Sequence, residues 1–478
     1  DVILEVDQMS ATDTQRPPLA VVILAAGLGT RMKSDVPKVL HEVCGRPMLS
    51  YVVDAALSVS PERVVVVTGP DQEAIADILP VGCERAVQQE RRGTGDAVRA
   101  GLEPLERFRG DVMVLYGDVP LVDAGFVAAL HRRHLEAEAA ATLTTSELAD
   151  PEHYGRIVRD DDGGVVRIVE YRDATPQERA VHEINVGLYV FRADALRPAL
   201  GRLTSDNDQG ELYLTDAVHL LLADGHTVAS FRSDDEEMCR GVNSRVELAA
   251  VNAAMRRRLV ERLMLAGVTV EDPATTYVDY GVEVGRDTVL RAGTHLLGRT
   301  TVGAACEVGP HSFLRDAFVG DRARVVSSHL HECVVGSGCS VGPFAHIRRN
   351  TVLAEGARAG TFVEIKNSRI GERSRVPHLS YVGDAVVGQD TNIAAGNITA
   401  NYDGYEKHAT TIGDRVRTGS DTVIVAPVNL GDDCVTAAGS VITRDVPPGA
   451  LAVTREEQKN VEGYAARRVA ERRTAPPS

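Results

Sequence analysis

The sequence has no tryptophan, and only 4% of its 478 residues are aromatic. Its hydrophobic cores must therefore be built mainly from aliphatic side chains. The 7 cysteines are scattered along the chain and never spaced as a CxxC pair. This use of cysteine argues against a disulfide framework and against a thiolate zinc site, and it predicts a reduced, cytoplasmic compartment.

Long apolar runs and an excess of positive charge are also lacking. The longest apolar stretch, Leu19 to Ala26, has the length of a strand and is too short to cross a membrane. Residues 1–18 carry no signal-peptide pattern and predict a disordered tail. Lys and Arg number 52 against 68 Asp and Glu, a net charge of −16. Because nucleic-acid-binding domains usually carry a basic face, the sequence predicts neither a nucleic-acid partner nor a membrane partner.

The length and a change of pattern along the chain predict two or three domains. Apolar runs alternate with helical spacing from Leu19 to about Val242. This alternation predicts right-handed βαβ units in a mostly parallel sheet, with ligands at the carboxyl ends of the strands. The clearest predicted strands are Leu19–Leu24, Arg63–Thr68 and Asp111–Tyr116, and predicted helices cover residues 48–58 and 72–79.

From Val282 onward, aliphatic residues recur at every sixth position, as in Val335, Val341 and Ile347. Six residues advance a helix by about 600°, so this repeat cannot lie on one helical face. A triangular coil of three short strands can instead point one such side chain inward on each side. With glycine relieving the corners, this is the hexapeptide repeat of a parallel β-helix, predicted over residues 282–453. Gly-rich loops with chance spacing are the alternative, which so many matches in register disfavour.

Three segments depart from this repeat. Ile393 and Ile412 are 19 residues apart, one more than a full coil, and the polar stretch Thr399–His408 between them predicts a protruding loop. Arg245–Leu265 lacks Pro and Gly and carries an apolar stripe, which predicts a helix joining the two halves. The charged end of the chain predicts disorder over residues 465–478.

A glycine loop follows the first predicted strand directly. The segment Leu24-Ala-Ala-Gly-Leu-Gly-Thr-Arg-Met32 is not a dinucleotide fingerprint, because Met32 takes the third glycine position, and no Walker A loop occurs in the chain. Such a loop lets backbone N–H groups approach a triphosphate, while Arg31 and Lys38 supply positive charge. The sequence therefore predicts a nucleotide phosphate site here.

Four motifs of the first half, LAAGLGTRM with PKVLH, QQERRGTGDA, YGDVPL and EINVG, resemble those of sugar-nucleotide pyrophosphorylases. Together with a prism that ends in GSDTVIVAPV, residues 19–464 resemble the bacterial bifunctional N-acetylglucosamine-1-phosphate uridylyltransferases and glucosamine-1-phosphate N-acetyltransferases. The resemblance implies an α/β chain with a Rossmann-like nucleotidyltransferase domain at 19–243, a linker helix at 244–266 and a left-handed parallel β-helix at 267–464.

The resemblance also implies an activity and an assembly. The C-terminal domain would transfer acetyl from acetyl-CoA to glucosamine-1-phosphate. The N-terminal domain would then transfer uridylyl from UTP to N-acetylglucosamine-1-phosphate, releasing pyrophosphate. The product, UDP-N-acetylglucosamine, would serve peptidoglycan and cell-wall synthesis. The enzyme would be a cytoplasmic homotrimer that uses Mg²⁺.

In the first half, the resemblance assigns Arg31 and Lys38 to catalysis and Asp118 and Asn243 to Mg²⁺. Without it, Asp118 would be taken for a turn cap and Asn243 for a helix N-cap. Leu28 stands where many relatives have Lys, which removes one possible phosphate contact. UTP and UDP-N-acetylglucosamine would be bound by Leu24, Ala25, Ala26, Gly27, Lys38, Gln88, Gly93, Thr94, Tyr116, Gly117, Asp118, Gly155, Glu170, Asn185 and Asn243. Of these, Gln88, Gly93 and Thr94 would bind the uracil, and Gly155, Glu170 and Asn185 would bind the acetylated sugar.

In the second half, the resemblance makes His378 the general base that takes a proton from the sugar amine, with Glu364 orienting its imidazolium. The Ala395 N–H would stabilise the oxyanion. Taken alone, His378 would be a surface histidine, since the chain has 14. Glucosamine-1-phosphate would be bound by Arg348, Lys366, Tyr381 and Asn392. Acetyl-CoA would be bound by Ala395, Asn401, Tyr402, Ser420, Ala438 and Arg455.

The sequence departs from this family at two further places. Arg349 and Asn350 replace the usual Pro-Gly, which puts the turn after Arg348 in doubt. Tyr464 stands where relatives carry Trp, so a substrate contact there would be weaker. In a trimer, the loop at 401–408 and the segment near Arg455 are long enough to reach a neighbouring prism, so we expect shared acetyltransferase sites.

Three other functions stay open at this point. The chain could be a single-activity pyrophosphorylase whose β-helix only oligomerises it, an acetyltransferase with a degenerate first domain, or a structural or regulatory protein that senses sugar nucleotides. Lys38, Asp118 and Asn243 are all present, which counts against the second and third. The residues predicted to bind and acetylate the amino sugar are present as well, which counts against the first and third.

Overall fold

The structure is a computed structural model that describes residues 17–151 and 154–474. It divides into two compact units, whose boundary in the sequence lies between Arg258 and Leu259. The tail predicted at 1–18 lies outside the described residues except for Pro17 and Pro18. The domain limits 19–243, 244–266 and 267–464 stay predictions.

The first unit is built around three aliphatic strands predicted from the sequence. Strands β1 (Leu19–Leu24), β4 (Arg63–Thr68) and β6 (Asp111–Tyr116) have these bounds in the structure, and β1 pairs in parallel with both others. The other strands are β2 (Glu42–Val43), β3 (Arg46–Pro47), β5 (Cys83–Val87), β7 (Ala141–Glu147), β8 (Arg156–Arg159), β9 (Val165–Val169), β10 (Glu183–Arg192) and β11 (Val228–Ser233).

The main sheet of this unit runs β11-β7-β10-β6-β1-β4-β5, and β8 and β9 attach to it through β10. Strand β10 is antiparallel to β6 and β7, while the other pairs along this path are parallel. Alternate side chains of β1 enter two separate cores, so the sheet is covered on both faces. Such burial on both faces explains why the central strands are continuous aliphatic runs.

Helices cover both faces of this sheet. Helix α1 confirms the helix predicted from residue 48, whereas residues 72–79 hold a 3-10 helix, Glu73–Ile78. Pro80 follows that segment and prevents a longer helix. The helices are α1 (Met48–Leu57), α2 (Thr94–Leu102), α3 (Ala124–Glu136), α4 (Pro176–Arg179), α5 (Ala193–Gly201), α6 (Leu214–Ala223) and α7 (Arg245–Leu265). Helix α7 has the bounds predicted for the connecting helix.

The second unit is a parallel β-helix whose short strands form three sheets. Sheet I contains β12 (Thr269–Val270), β15 (Val289–Leu290), β18 (Glu307–Val308), β21 (Arg324–Val325), β24 (Ser340–Val341), β27 (Arg358–Thr361) and β30 (Arg375–His378), and β37 (Val435–Thr436) pairs with β39 (Leu451–Ala452) farther along. Sheet II contains β13 (Tyr277–Val278), β16 (His295–Leu297), β19 (Phe313–Arg315), β22 (His329–His331), β25 (His346–Ile347), β28 (Glu364–Lys366), β31 (Tyr381–Gly383), β33 (Ile398–Ala400), β35 (Val423–Val425) and β38 (Val441–Ile442). Sheet III contains β14 (Glu283–Val284), β17 (Thr301–Val302), β20 (Phe318–Val319), β23 (Cys333–Val335), β26 (Thr351–Leu353), β29 (Arg369–Ile370), β32 (Ala385–Val387), β34 (Thr410–Ile412) and β36 (Val428–Leu430).

The sixth-residue repeat supplies the core of this unit. Val335, Val341 and Ile347 lie on sheets III, I and II in turn, and each is at most 1% exposed. All three belong to one continuous core that fills the coil. The predicted hexapeptide β-helix is therefore confirmed, while its left hand stays a prediction.

Glycine turns some corners of the coil, as predicted, with Gly338 at φ 67° and Gly356 at φ 68°, but it does not turn all of them. Several corners are turned by bulky residues in the left-handed region, such as Phe362 at φ 56° and Leu379 at φ 43°. At Gly360, in contrast, a Cβ atom would lie 2.0 Å from the Pro377 carbonyl oxygen in the next coil. Glycine at such a position permits the coils to stack closely.

The protruding loop lies where the sequence predicted it, but the inserted segment is longer than predicted. Val387 pairs with Ile412, 25 residues on, whereas Tyr381 pairs with Ile398, 17 residues on. The prediction of one extra residue was wrong because it compared Ile412 with Ile393, which lies on another side of the coil. Strand β33 continues to Ala400, so the loop begins after that residue.

The chain end also differs from the sequence-based expectation. Disorder was expected over 465–478, whereas the structure has a helix, α8 (Tyr464–Thr474). Its sequence is rich in Ala and Arg and contains neither Gly nor Pro, which favours a helix even at an exposed site. In the part of the chain that the structure describes, no helix is long and apolar enough to cross a membrane.

The coil core can be tested with two neighbouring valines of β32. Val387 is 1% exposed and Val386 is 52% exposed. Val387→Ala is expected to lower the free energy of unfolding by about 2 kcal/mol, because it removes buried methyl groups and leaves a cavity. Val386→Ala should stay within about 0.5 kcal/mol of the parent. Urea denaturation followed by circular dichroism measures both, and equal losses would contradict this assignment of the inward face.

Candidate functional site

A cavity of about 500 Å³ lies in the first unit at the carboxyl ends of β1 and β6. Parallel strands place these ends side by side, which is where ligands bind on such sheets. Predicted nucleotide-binding residues form most of its lining. They are Leu24, Ala25, Ala26, Gly27, Lys38, Gln88, Gly93, Thr94, Tyr116, Asp118 and Asn243.

The glycine loop after β1 is held by its carbonyl groups. Arg91 Nε donates to the Ala26 carbonyl at 2.7 Å, and Gln72 Nε2 donates to the Gly27 carbonyl at 3.3 Å. Arg91 is itself paired with Asp71. Among the described residues, no hydrogen-bond acceptor is found for the N–H groups of Ala26 and Gly27. The loop can therefore present N–H groups to an anion.

Lys38 joins the two predicted metal ligands. Its ammonium donates to Asp118 Oδ2 and, at 3.0 Å, to Asn243 Oδ1. The side chains of Lys38 and Asp118 are only 13% and 14% exposed. The Asn243 N–H donates to Glu247 Oε2 at 2.8 Å, which fixes this residue at the start of α7. A cation thus already lies between a carboxylate oxygen and an amide oxygen, which are the ligands that Mg²⁺ prefers.

The uracil-binding residues predicted from QQERRGTG form one small network. Gln88 Nε2 donates to the Gly93 carbonyl at 3.1 Å and to Asp96 Oδ2 at 2.9 Å. Thr94 Oγ1 accepts from the Leu214 N–H at 3.0 Å. Helix α2 begins at Thr94, so its first turn is anchored beside the cavity.

The end of β6 is tied to the end of β1. The Gly117 N–H donates to the Leu24 carbonyl at 2.9 Å. Burial raises the pKa of Tyr116, and the charges of Glu170 and Asp118 raise it further. The Tyr116 hydroxyl therefore remains protonated near neutral pH.

The three residues predicted to bind the acetylated sugar also come together. The Asn185 N–H donates to the Gly155 carbonyl at 2.8 Å, and a Cβ atom on Gly155 would lie 3.5 Å from Glu170 Oε2. Burial raises the pKa of Glu170, against a hydrogen bond from Thr215 that lowers it. Arg31, in contrast, is exposed on the turn Thr30–Met32 and is not among the residues that line the cavity.

In the second unit, His378 is exposed and begins a column of predicted site residues along one edge of the coil, the histidine edge. Ala395, Ser420 and Ala438 occupy successive coils above it. The residue after Ser420 donates its N–H to the Ala395 carbonyl, and the residue after Ala438 donates to the Ser420 carbonyl, both at 2.8 Å. Arg455 Nη1 donates to the Ala438 carbonyl at 3.1 Å, so it ends the same column.

Asn392, which is predicted to bind glucosamine-1-phosphate, lies beside the histidine edge. It lies on sheet I, where it bridges Arg375 in the coil below and Arg417 in the coil above. His378 lies three positions after Arg375, and Ala395 lies three positions after Asn392. Because Asn392 pairs with Arg375, Ala395 lies one coil above His378 on the histidine edge. Within the described chain, no hydrogen-bond partner is found for the Ala395 N–H, whereas the Ala394 N–H donates to Thr418 Oγ1 at 2.8 Å.

Three of the four residues predicted to bind glucosamine-1-phosphate, Arg348, Lys366 and Tyr381, lie on or directly beside sheet II. Glu364 pairs with Tyr381 in the ladder, and Arg348 Nη1 donates to Glu364 Oε1 at 2.6 Å. The sequence led us to expect that Glu364 orients the imidazolium of His378. In the structure, Glu364 instead accepts a hydrogen bond from Arg348 and makes none with His378. In a β-helix, residues one coil apart are neighbours, and Arg348 and Glu364 are 16 residues apart.

A cationic corner lies at the far end of β28, formed by Arg348, Lys366 and Lys407. The neighbouring Lys407 side chain lowers the pKa of Lys366 most, and Arg348 lowers it further, whereas the charge of Asp384 raises it. Asn401 Nδ2 donates to Asp384 at the base of the loop. Two lysines and an arginine so close together favour an anionic ligand.

Four residues of these two sites were missed at the level of sequence: Gln72, Arg91, Asp384 and Lys407. Arg91 lies inside the quoted motif QQERRGTG, and Lys407 lies inside the predicted loop, so both carried a signal. Gln72 and Asp384 carried none, because their contacts depend on the fold. Tyr402 is 61% exposed and donates only to the Gly404 carbonyl, at 2.7 Å, among the described residues.

Two families match separate parts of the chain. Residues 21–219 match the MobA-like NTP transferase domain. Residues 409–444 match the bacterial transferase hexapeptide, in six repeats. The first match lies in the sheet that surrounds the cavity, and the second lies in the coil.

Full-length relatives extend this similarity to nearly the whole chain. A protein of Mycolicibacterium vanbaalenii is 50% identical over 457 residues, 94% of this chain and 93% of the relative. A protein of Mycolicibacterium gilvum is 51% identical and one of Mycobacterium bovis is 49% identical, each over 94% of this chain and 92% of the relative. All three are named bifunctional protein GlmU.

The position of Lys38 can be tested through Gly29. At Gly29, with φ +62°, a Cβ atom would lie 2.7 Å from Lys38 Cβ, whereas Gly201 has no atom within 4 Å of its added Cβ. Gly29→Ala is expected to weaken binding of Mg²⁺-UTP by about tenfold, because it displaces the ammonium from the cavity. Gly201→Ala is the matched control. Titration calorimetry measures both affinities, and an unchanged affinity in Gly29→Ala would contradict the assignment.

Proposed function

Because this chain belongs to the GlmU family of bifunctional proteins, we propose that it makes UDP-N-acetylglucosamine in two steps. The coil acetylates glucosamine-1-phosphate with acetyl-CoA. The Rossmann-like unit then joins N-acetylglucosamine-1-phosphate to the uridylyl group of UTP. The observation that carries the second step is the ammonium of Lys38 bonded to both Asp118 and Asn243 on the wall of the cavity.

In uridylyl transfer, a phosphate oxygen of the sugar phosphate attacks the α-phosphorus of UTP, and pyrophosphate leaves. The N–H groups of the glycine loop bind the triphosphate, and Gln88 and Gly93 hold the uracil. Asp118 and Asn243 would hold Mg²⁺, which neutralises phosphate charge and orients the reacting groups. Lys38 then turns from these oxygens to the phosphates, where its charge stabilises the transition state.

The acetylated sugar is oriented on the same sheet. Gly155, Glu170 and Asn185 form its binding wall, as their mutual contacts support. A buried carboxylate such as Glu170 accepts hydrogen bonds from sugar hydroxyls, and these bonds offset the cost of its burial. The sugar thereby keeps its phosphate in line with the α-phosphorus.

In acetyl transfer, the amine of glucosamine-1-phosphate attacks the thioester carbonyl of acetyl-CoA. His378 takes a proton from the attacking nitrogen, and the C–S bond of the tetrahedral intermediate breaks to release CoA. The Ala395 N–H, which has no acceptor among the described residues, donates to the oxyanion. Arg348 and Lys366 bind the sugar phosphate.

The alternative of a single-activity pyrophosphorylase with an inert coil is not favoured. The relatives named bifunctional protein GlmU match the coil as well as the sheet, over 94% of the chain. The cationic corner and the histidine edge are also built from side chains that an inert coil does not need. The buried thiols of Cys306, Cys333 and Cys434 fit the reducing cytoplasm in which we place the enzyme.

We propose further that the enzyme is a homotrimer with shared acetyltransferase sites. The predicted acetyl-CoA residues divide between two places on the coil. Ala395, Ser420 and Ala438 follow the histidine edge, whereas Asn401 lies at the cationic corner beside Asp384. Three chains around one axis would bring the histidine edge of one chain to the cationic corner of the next.

The two activities are expected to be separable by single substitutions. Asp118→Asn should abolish pyrophosphate release and leave acetyl transfer intact, because it removes the charge of one magnesium ligand. His378→Ala should slow acetyl transfer by about 10²–10⁴-fold and leave uridylyl transfer intact. Release of CoA and of pyrophosphate from one preparation measures both. Loss of both activities in either folded variant would contradict the two-site proposal.

The shared site is expected to allow complementation between subunits. His378→Ala and Asn401→Ala are each expected to slow acetyl transfer strongly, and they lie at the two different places on the coil. Mixed trimers should recover about a quarter of the parent activity, since one interface in four joins two unaltered halves. Each variant mixed with itself is the control. A monodisperse active monomer in light scattering would refute the trimer.

A further inference from the structure

Asp384 lies where three parts of the coil meet. It turns the corner between β31 and β32 with φ 50°. Its N–H donates to the Lys366 carbonyl in the coil below, and its carbonyl accepts from the Thr410 N–H after the loop, both at 3.1 Å. The residue therefore connects the strand that carries Lys366 with both ends of the protruding loop, which starts after Ala400.

The Asp384 carboxylate accepts two amide hydrogen bonds. Asn367 Nδ2 donates to Oδ1 at 2.5 Å, and Asn401 Nδ2 donates to Oδ2. The corner conformation does not require a carboxylate, since Asn adopts the left-handed region as readily. Asp390 turns another corner at φ 54° and pairs with Arg373 on the surface. The geometry of the turn therefore does not account for the hydrogen bonds that Asp384 accepts from the side chains of Asn367 and Asn401.

The same carboxylate is a counter-charge of Lys366 in the cationic corner. Lys407 and Arg348 lower the pKa of Lys366, and Asp384 raises it. Arg348 is already paired with Glu364, so without Asp384 the two lysines would face each other with no acidic group among the charges that act on Lys366. The charge of Asp384 therefore favours the protonated form of Lys366.

We propose that Asp384 is a positioning residue that orients Lys366 and Asn401 together for the two acetyltransferase substrates. This inference rests on the proposed acetyltransferase activity. Through Lys366 it acts on the sugar phosphate, and through Asn401 it acts on acetyl-CoA. It touches neither substrate. One carboxylate thus sets both binding subsites at the base of the loop.

Asp384→Asn tests this role without changing the turn. The amide has one acceptor oxygen, so it loses one of the two bonds and the charge. The KM values for glucosamine-1-phosphate and for acetyl-CoA are both expected to rise by about tenfold, while kcat changes little. The affinity for glucosamine-1-phosphate falls as rising pH deprotonates Lys366. In Asp384→Asn this fall should begin at a lower pH than in the parent, because the pKa of Lys366 loses the contribution of the Asp384 charge. Asp390→Asn is the matched control and should alter neither KM.

The double variant Asp384→Asn with Asn367→Asp provides the rescue. The new amide at position 384 can accept from Asn401 and donate to the new carboxylate at position 367, so both bonds and the charge return. Recovery of both KM values supports the proposal, including the case in which Asp384→Asn alone folds poorly. Parent-like KM values in Asp384→Asn, or a loss confined to kcat, overturn it. If the parent enzyme releases no CoA, the proposed acetyltransferase function fails instead.

Discussion

In each unit, the parallel pairing of neighbouring strands determines which functional side chains lie close together. In the first unit, β1 and β6 run in the same direction, so the glycine loop and Asp118 emerge at the same edge of the sheet. In the second unit, each coil repeats the direction of the one below, so residues one coil apart in the sequence stack directly. A column such as Ala395, Ser420 and Ala438 follows from this stacking alone. Loops then need only small adjustments to complete each site.

Much of this arrangement could be predicted from the sequence, for identifiable reasons. The aliphatic runs of β1, β4 and β6 are long because both faces of the sheet are buried. The sixth-residue repeat indicates a triangular coil, because such a repeat cannot lie on one face of a helix. The contact of Lys38 with Asn243 joins residues 205 positions apart, and only the motif resemblance pointed to it. The bond of Arg348 to Glu364 was not foreseen, because it depends on which side chains of adjacent coils project outward together. The long insertion before Ile412 was misjudged for a related reason: spacing in the sequence does not say which side of the coil a residue occupies.

Both lysines that we propose to bind phosphate have a carboxylate of the same chain nearby. Lys38 is bonded to Asp118, and the charge of Asp384 acts on Lys366. A pre-existing counter-charge weakens phosphate binding, since the ligand must compete with it, but it keeps the lysine in place and charged. The chain carries a net charge of −16, so binding of the proposed anionic substrates depends on local positive charge at such positions. Selectivity for phosphate compounds then depends on local geometry more than on the overall field.

The competition between carboxylate and phosphate for the lysine has different consequences at the two sites. Lys38 lies between two oxygen ligands of a predicted cation, so its departure and the arrival of the nucleotide with its metal are parts of one event. The charges of Lys407 and Arg348 act on Lys366, so in our proposal a phosphate bound there relieves repulsion among these cations while Asp384 keeps its position. The first site is therefore rearranged by its ligand, and the second is completed by it. This difference agrees with the elements involved: a glycine loop that can adjust beside a sheet, and a rigid coil whose positions are fixed by the stacking of its neighbours.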